Sequence, residues 1–203
     1  NTRLGLIARV RLEPFEKGII LPHEKTFSKV KTDRLALIKS CHANFSQVFS
    51  VFADAGGVLN MLKETVVNTP PVFSFDDDNA HHHLMWRITD PQVHAYVKQA
   101  LTDCRLYIAD GHHRYETALN YRKWRQQQDP EIDKDHPAGF IMMYLADMND
   151  PGLIILPSHR LVSAIPASVQ QGFIRQAASW FDIASFPFDP APSESCLEVL
   201  EVE

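Results

Sequence analysis

The alternation of apolar and polar residues along the 203-residue chain predicts short strands and amphipathic helices in mixed order. Short runs of β-branched and aromatic residues between turn residues indicate strands, whereas apolar residues three or four positions apart indicate helices. The predicted strands cover 3–12, 19–21, 47–52, 72–75, 82–88, 105–109, 139–146, 153–156 and 183–188, and the predicted helices cover 32–43, 57–66, 115–128 and 167–181, with one more starting at Pro91. This mixture of hairpins and strand–helix units predicts an α+β fold, with a mixed sheet and flanking helices.

The domain organisation predicted from this pattern is a single α+β domain over residues 1–186. The Pro- and Ser-rich stretch 187–203 is typical of a linker or of the start of a following segment. The chain starts abruptly in patterned sequence, with no initiator Met and no signal-peptide pattern. We therefore expect the chain to be the middle of a longer protein.

Composition removes several classes of protein. Apolar residues make up 45% of the chain, which is too many for intrinsic disorder, and no run of about 18 apolar residues predicts a membrane span. The 20 Lys and Arg residues against 25 Asp and Glu give a net charge of −5, so we expect no general nucleic-acid binding. Three widely spaced cysteines match neither a zinc site nor a disulfide framework, and reduced thiols predict a cytoplasmic location.

The densest cluster of reactive side chains follows the predicted strand 105–109 and reads Asp110-Gly111-His112-His113-Arg114. The first amides of a following helix attract phosphate, and Gly111 lets the backbone approach it closely. Arg114 suits forked hydrogen bonding to phosphate, and His112 and His113 titrate near neutral pH. We expect Asp110 to bind a divalent metal ion or to orient a histidine.

A structural role for the same residues is the alternative, with Asp110 as a helix cap and the histidines as surface turn residues. Four polar residues in one strand-to-helix turn favour the functional interpretation. We therefore predict Asp110, His112 and His113 as catalytic residues, Gly111 and Arg114 as phosphate-binding residues, and Asp110 as the metal ligand.

A second cluster of polar residues follows the short strand 19–21 and reads His23-Glu24-Lys25-Thr26. Glu24 is a candidate general base, and Lys25 and Thr26 are candidate phosphate contacts. An ordinary charged loop explains the same residues equally well.

A third candidate is His159-Arg160, which follows the predicted strand 153–156, because ligand sites gather at strand ends. An exposed loop with a salt-bridged Arg160 is the alternative. The triplet 81–83 is three consecutive histidines, but neighbouring residues of a strand point to opposite faces, so we do not expect the triplet to bind one ion.

The sequence resembles a bacterial and archaeal family known only as a domain of unknown function. The resemblance covers residues 3–165 and rests on four motifs, which are Gly5-Leu6-Ile7-Ala8-Arg9-Val10, Leu21-Pro22-His23-Glu24-Lys25-Thr26, the stretch from Tyr107 to Ala118, and Leu156-Pro157-Ser158-His159-Arg160-Leu161. Members of that family are about twice as long and carry an upstream Pro-Pro-Tyr-Asp-like motif. If that upstream segment completes the family's site, this chain alone would be inactive.

The loop 110–114 is also similar to the loop of the ParB/sulfiredoxin-like superfamily, which includes free-serine kinases that depend on nucleotides. In that superfamily the strand–loop–helix turn holds nucleotide phosphates, with the arginine as a main contact. The resemblance implies a ParB/sulfiredoxin-like element here, with Asp110, Gly111, His112, His113 and Arg114 as the phosphate-binding and catalytic loop. The sequence shows no matching adenine pocket or acceptor site.

These observations together predict a nucleotide-dependent phosphotransferase that acts on a small hydroxylated metabolite, with serine as the first candidate. Its expected cofactors are ATP or ADP with Mg²⁺, and Lys25, Thr26, His159 and Arg160 are expected to assist Arg114 in binding them. One alternative is a nucleotide-binding regulatory module without small-molecule chemistry. A second is a metal-dependent hydrolase that uses His23, His112, His113 and His159. The sequence does not indicate the oligomeric state.

Overall fold

The computed structural model describes residues 2–24, 28–133, 135–155 and 166–184, without the side chains of 28–32 and 170–171. The chain divides into two compact units, residues 1–153 and residues 154–203. The predicted domain end at residue 186 lies outside the described residues, so that boundary stays a prediction.

The first unit contains seven strands and four longer helices among its described residues. In chain order these are β1 (Leu6–Arg11), β2 (Ile20–Leu21), α1 (Ser28–Cys41), β3 (Val48–Phe52), α2 (Val58–Val66), β4 (Phe73–Asp76), β5 (His82–Met85), α3 (Pro91–Ala100), β6 (Leu106–Asp110), α4 (His112–Gln128) and β7 (Phe140–Asp147). Short 3₁₀ helices at Phe15–Lys17 and Pro137–Gly139 lie in two of the connections. The second unit contributes α5 (Ala167–Ala177).

The main sheet has five strands in the order β1-β7-β3-β6-β2. β1 runs antiparallel to β7 and β3 antiparallel to β6, whereas β3 runs parallel to β7 and β2 parallel to β6. A separate antiparallel hairpin consists of β4 and β5. The predicted α+β fold with a mixed sheet and flanking helices is therefore confirmed, while the ParB/sulfiredoxin-like element stays a prediction.

The core lies on one face of this sheet, where strand alternation turns apolar side chains towards the helices. Val48 and Phe52 of β3 and Met143 of β7 are fully buried, and so is Tyr115 of α4. The Tyr115 hydroxyl donates to the carbonyl oxygen of Glu13 at 2.8 Å and accepts from its backbone N–H at 2.9 Å. These contacts attach the first turns of α4 to the sheet, so the turn that precedes α4 has a fixed position.

Several predictions about local structure are wrong. Helix α1 begins at Ser28 rather than at residue 32, β5 ends at Met85 rather than at residue 88, and α5 ends at Ala177 rather than at residue 181.

Two further differences lie at or after the predicted site loops. Helix α4 begins at His112 rather than at Tyr115, because Gly111 adopts a left-handed conformation and ends the preceding strand at Asp110. No strand forms over Leu153–Ile155, where Ile154 and Ile155 are exposed and pair with no strand among the described residues. Leu156, which completes that predicted strand, lies outside the described part.

Among the helices of the described residues, none combines the length and the apolar character that crossing a bilayer requires. The cytoplasmic location stays a prediction.

Candidate functional site

The site begins where β6 ends and α4 starts. Gly111 occupies the N-cap position with φ +97°, a conformation that side chains rarely adopt, and it supplies no capping side chain. A Cβ atom at this position would lie 2.9 Å from Nε of Arg114. His112, His113 and Arg114 thus form the first turn of α4, whose amides lack partners within the helix and carry partial positive charge.

Arg114 fastens this turn to a neighbouring segment of the chain. Its guanidinium donates to the Asp110 carboxylate and to the carbonyl oxygen of Gln47. It also donates to Oγ of Ser46 at a distance of 3.0 Å. The Asp110 side chain is 70% exposed, whereas that of Arg114 is 23% exposed. The guanidinium is therefore already oriented, and its carboxylate partner faces solvent.

His112 is the buried member of the site. Its Nε2 accepts a hydrogen bond from the backbone N–H of His23 at 3.2 Å. Its buried Nδ1 lies 2.9 Å from Oε1 of Glu24, which is an ion-pair contact rather than a hydrogen bond of regular geometry. Burial lowers the pKa of His112 and nearby His23 lowers it further, while the carboxylates of Glu24 and Asp110 act in the opposite direction.

Sheet topology explains why residues 89 positions apart meet here. β2 and β6 run parallel, with Leu21 paired to Tyr107, so their carboxyl ends lie at the same edge of the sheet. His23 follows β2 and contacts Ile108 of β6, whose carbonyl oxygen lies 2.7 Å from Nδ1 of the imidazole. The rings of His23 and His112 then meet edge to face, with centroids 4.5 Å apart.

The structure therefore brings together two of the three predicted clusters. Glu24 and His112 lie against each other, and Asp110, Gly111 and Arg114 are the adjoining residues of the same turn. The His113 side chain is half-buried, and its backbone carbonyl accepts from Oγ1 of Thr117. The predicted sites Lys25, Thr26, His159 and Arg160 lie outside the described residues. The assigned roles of all these residues stay predictions.

His23, Ser46 and Gln47 are the contacts that the preferred interpretation of the sequence did not assign. His23 follows β2, which has only two residues, and the sequence around β2 does not indicate which strand pairs with β2. The sequence did carry one signal for His23, namely that Leu-Pro-His-Glu follows an apolar run. Where two parallel strands lie side by side, the residues after each strand lie at the same edge of the sheet, so His23 could have been expected beside the loop that follows β6.

The hairpin histidines do not form one cluster, as strand alternation predicted. His81 and His83 each lie 3.1 Å from Oδ2 of Asp77, whereas His82 pairs with Asp76 at 2.7 Å. The hydrogen bond from His83, together with the backbone N–H of His81, lowers the pKa of Asp77. All three imidazoles are exposed, and their contacts stay within the hairpin.

Among the described residues, one group has the arrangement of a metal-binding set, namely His23, Glu24 and His112. One donor atom from each lies within 4.8 Å of the others. Two nitrogens and one oxygen do not match Mg²⁺, which prefers an octahedron of oxygens. Asp110, the predicted Mg²⁺ ligand, is a single carboxylate that already accepts from Arg114, so it does not by itself supply the oxygen ligands that Mg²⁺ prefers.

Comparison with known proteins identifies a family but no individual relative. The family described as "Protein of unknown function (DUF1015)" matches residues 1–200. No curated protein and no solved structure matches the chain. The match spans almost the whole sequence and agrees with the resemblance seen in its motifs. The chain belongs to the DUF1015 family of proteins of unknown function.

Proposed function

We propose that the protein is a nucleotide-dependent phosphotransferase that acts on a small hydroxylated metabolite, with serine as the first candidate. One observation carries this proposal. An exposed carboxylate, that of Glu24, lies beside the first turn of α4, which also presents Gly111 and Arg114. A proton acceptor and a phosphate-binding turn therefore lie at one edge of the sheet.

Phosphate binding is supported by the geometry of the turn. Gly111 leaves the backbone open to close approach, and the helix N-terminus favours negative charge. Arg114 is held in place by Gln47 and Ser46, so that a phosphate oxygen can replace the Asp110 carboxylate without reorienting the guanidinium. Phosphoryl transfer depends mainly on such positioning and charge neutralisation.

Glu24 is the best-supported proton acceptor of the three predicted ones. Its side chain is 57% exposed, whereas His112 is buried and its Nε2 already accepts from a backbone amide. In the proposed step the substrate hydroxyl oxygen attacks the terminal phosphorus of ATP or ADP, and its proton passes to Glu24. The bond between that phosphorus and the bridging oxygen breaks, and ADP or AMP leaves with the electron pair.

Nucleotide binding is the first test of this proposal. Calorimetric titration of the chain with ATP, ADP and CTP, each with Mg²⁺, should show binding that Arg114→Ala weakens at least about tenfold. Arg114→Lys keeps the charge but loses the forked donors, so its nucleotide affinity should lie between those of the unmodified chain and of Arg114→Ala. Arg125→Ala is the matched control, because Arg125 lies in the last turn of the same helix. Absence of binding by the unmodified chain, or equal binding by Arg114→Ala, would contradict the proposal.

Transfer is the second test. Incubation with ATP carrying a labelled terminal phosphate and with serine should give labelled phosphoserine, and Glu24→Gln should slow the reaction by about 10²–10⁴-fold, the usual contribution of a general base. Binding without transfer to serine or to other small hydroxylated metabolites would instead indicate the regulatory module. Wild-type rates in Glu24→Gln would remove Glu24 from the mechanism.

A further inference from the structure

We propose that His23, Glu24 and His112 bind one divalent transition-metal ion of the Zn²⁺ type. This inference goes beyond the proposed phosphotransfer and does not depend on it. It rests on the arrangement of three donors that come from two remote segments of the chain.

The spacing of the donors matches metal coordination. Nδ1 of His112 and Oε1 of Glu24 are 2.9 Å apart, which is close to the separation of roughly 3.3 Å between two ligands of a tetrahedral ion with bonds of about 2.0–2.1 Å. The donor of His23 lies within 4.8 Å of the other two. Glu24 is exposed on the same bend as His23, so its carboxylate can adjust towards an ion held by the two imidazoles while His23 keeps its contact with Ile108.

Two further observations point to a ligand at this position. Nδ1 of His112 is buried and faces the Glu24 carboxylate oxygen at 2.9 Å without forming a hydrogen bond of regular geometry, and buried nitrogens are usually satisfied more fully than this. His23 shows the orientation typical of metal-bound histidines, because its Nδ1 lies 2.7 Å from the carbonyl oxygen of Ile108. A proton on Nδ1 that donates to this carbonyl leaves Nε2 of His23 with its lone pair available.

Metal binding requires one contact to change. In the structure, Nε2 of His112 accepts from the backbone N–H of His23 at 3.2 Å. Coordination through Nδ1 moves the proton of the neutral imidazole to Nε2, which then can no longer accept that hydrogen bond. That contact is at the long end of hydrogen-bond distances, so the ion exchanges one weak interaction for a coordinate bond. The His23 amide should therefore shift away from His112 when the metal binds.

The donor set also selects the class of metal. Two imidazoles and one carboxylate suit Zn²⁺, Fe²⁺ or Mn²⁺ and disfavour Mg²⁺ and Ca²⁺, which prefer oxygen ligands. Three protein ligands leave an open coordination position, as in catalytic rather than structural zinc sites. The exposed side chain of Glu24 places that position towards solvent.

The metal and the proposed phosphotransfer make separable demands on Glu24. A carboxylate that coordinates Zn²⁺ is a poor proton acceptor, so Zn²⁺ should inhibit phosphotransfer, and a chelator that binds Zn²⁺ but leaves Mg²⁺ in solution should restore it. Zn²⁺ binding itself needs no nucleotide and should persist in Arg114→Ala. Failure of either proposal is therefore recognisable independently of the other.

The experiment is calorimetric titration of the chelator-treated full chain with Zn²⁺, together with the visible absorption of its Co²⁺ complex. We expect one ion per chain, and binding at least about tenfold weaker in His23→Asn and in Glu24→Gln. Both positions are exposed, so the variants should fold, which circular dichroism checks. The double variant His81→Asn/His83→Asn is the control for adventitious binding by the hairpin, and it should bind as the unmodified chain does.

Three results would overturn the proposal. They are no Zn²⁺ binding by the unmodified chain, unchanged binding by both His23→Asn and Glu24→Gln, and loss of the stoichiometric ion in the hairpin variant.

Discussion

Two regions of this protein are rich in histidine, the junction of β6 and α4 and the β4–β5 hairpin, and they differ in how the rest of the chain holds them. At the junction, His112 is fully buried and contacts His23, which is 89 residues away. In the hairpin, the histidines are exposed and contact aspartates four to six residues away. The comparison teaches that the number of histidines says little about a site, whereas burial combined with contacts between remote segments indicates one.

The largest expected difference between the two regions is in stability. His112→Ala should lower the free energy of unfolding by about 2–4 kcal/mol, because it leaves a cavity and deprives the His23 amide of its acceptor. His82→Ala, in the exposed hairpin, should change it by no more than about 0.5 kcal/mol. Urea denaturation of both variants measures these free energies of unfolding. Similar losses of stability in the two variants would contradict the claim that the junction is held by the core and the hairpin is not.

The next effect concerns the turn that positions the site. Gly111→Ala should cost about 1–3 kcal/mol, since its φ of +97° strains a side chain and the new Cβ would crowd Arg114. Gly56→Ala is the matched control, because nothing lies within 4 Å of a Cβ there and its φ is not in the left-handed region. Thermal unfolding of the pair checks this, and an unperturbed Gly111→Ala would show that the turn tolerates other conformations.

Anchoring of α4 makes the stability of the fold depend on pH in the alkaline range. Burial raises the pKa of Tyr115 to about 12. A tyrosine in the unfolded chain titrates near pH ~10, so the unfolded state loses its proton first as the pH rises. The stabilisation by Tyr115 is thus complete below about pH 10 and is lost towards pH 12, by on the order of 2 kcal/mol.

The variant Tyr115→Phe isolates this contribution. It should be less stable at pH 7 by about 1–3 kcal/mol, because both backbone groups of Glu13 lose their partner. Its stability should also fall less steeply above pH 10 than that of Tyr96→Phe, which changes an exposed tyrosine. If the stabilities of the two variants fell in parallel above about pH 10, the alkaline loss of stability could not be assigned to Tyr115.

The smallest expected effect on stability is at Glu24. Because its side chain is more than half exposed and makes no well-aligned hydrogen bond to His112, Glu24→Gln should change the free energy of unfolding by less than about 0.5 kcal/mol. The same variant should strongly reduce phosphotransfer and Zn²⁺ binding. A large loss of stability would instead mark Glu24 as a structural residue.

Elements with local signals could be predicted from the sequence. Asp90 before Pro91 predicts a helix start, and its carboxylate indeed accepts from the N–H of Gln92 at 2.8 Å. The hairpin around residues 76–81 is likewise encoded by its turn residues, and both of its strands form, although the second ends at Met85 rather than at residue 88. These features depend on neighbours in the chain, so a local pattern suffices to find them.

Features that depend on pairing between remote segments could not be predicted in this way. The two-residue strand β2 lies beside β6 because of the overall topology, and only this pairing brings His23 and Glu24 to His112. Arg114 similarly finds Ser46 and Gln47 through the antiparallel pairing of β3 with β6. The sequence thus indicated Glu24 and the loop 110–114, but neither the contacts between them nor the contributions of Ser46 and Gln47.

The most direct test of the central claim is to map the amide signals of the isotopically labelled chain while ATP and Mg²⁺ are added. The account predicts that the amides of Gly111, His112, His113 and Arg114 shift most, with Glu24 following, and that those of the hairpin residues 73–85 stay in place. Shifts centred instead on the cleft of about 310 Å³ lined by Ala53, Cys104, Arg105 and Tyr107, or on the hairpin, would contradict it.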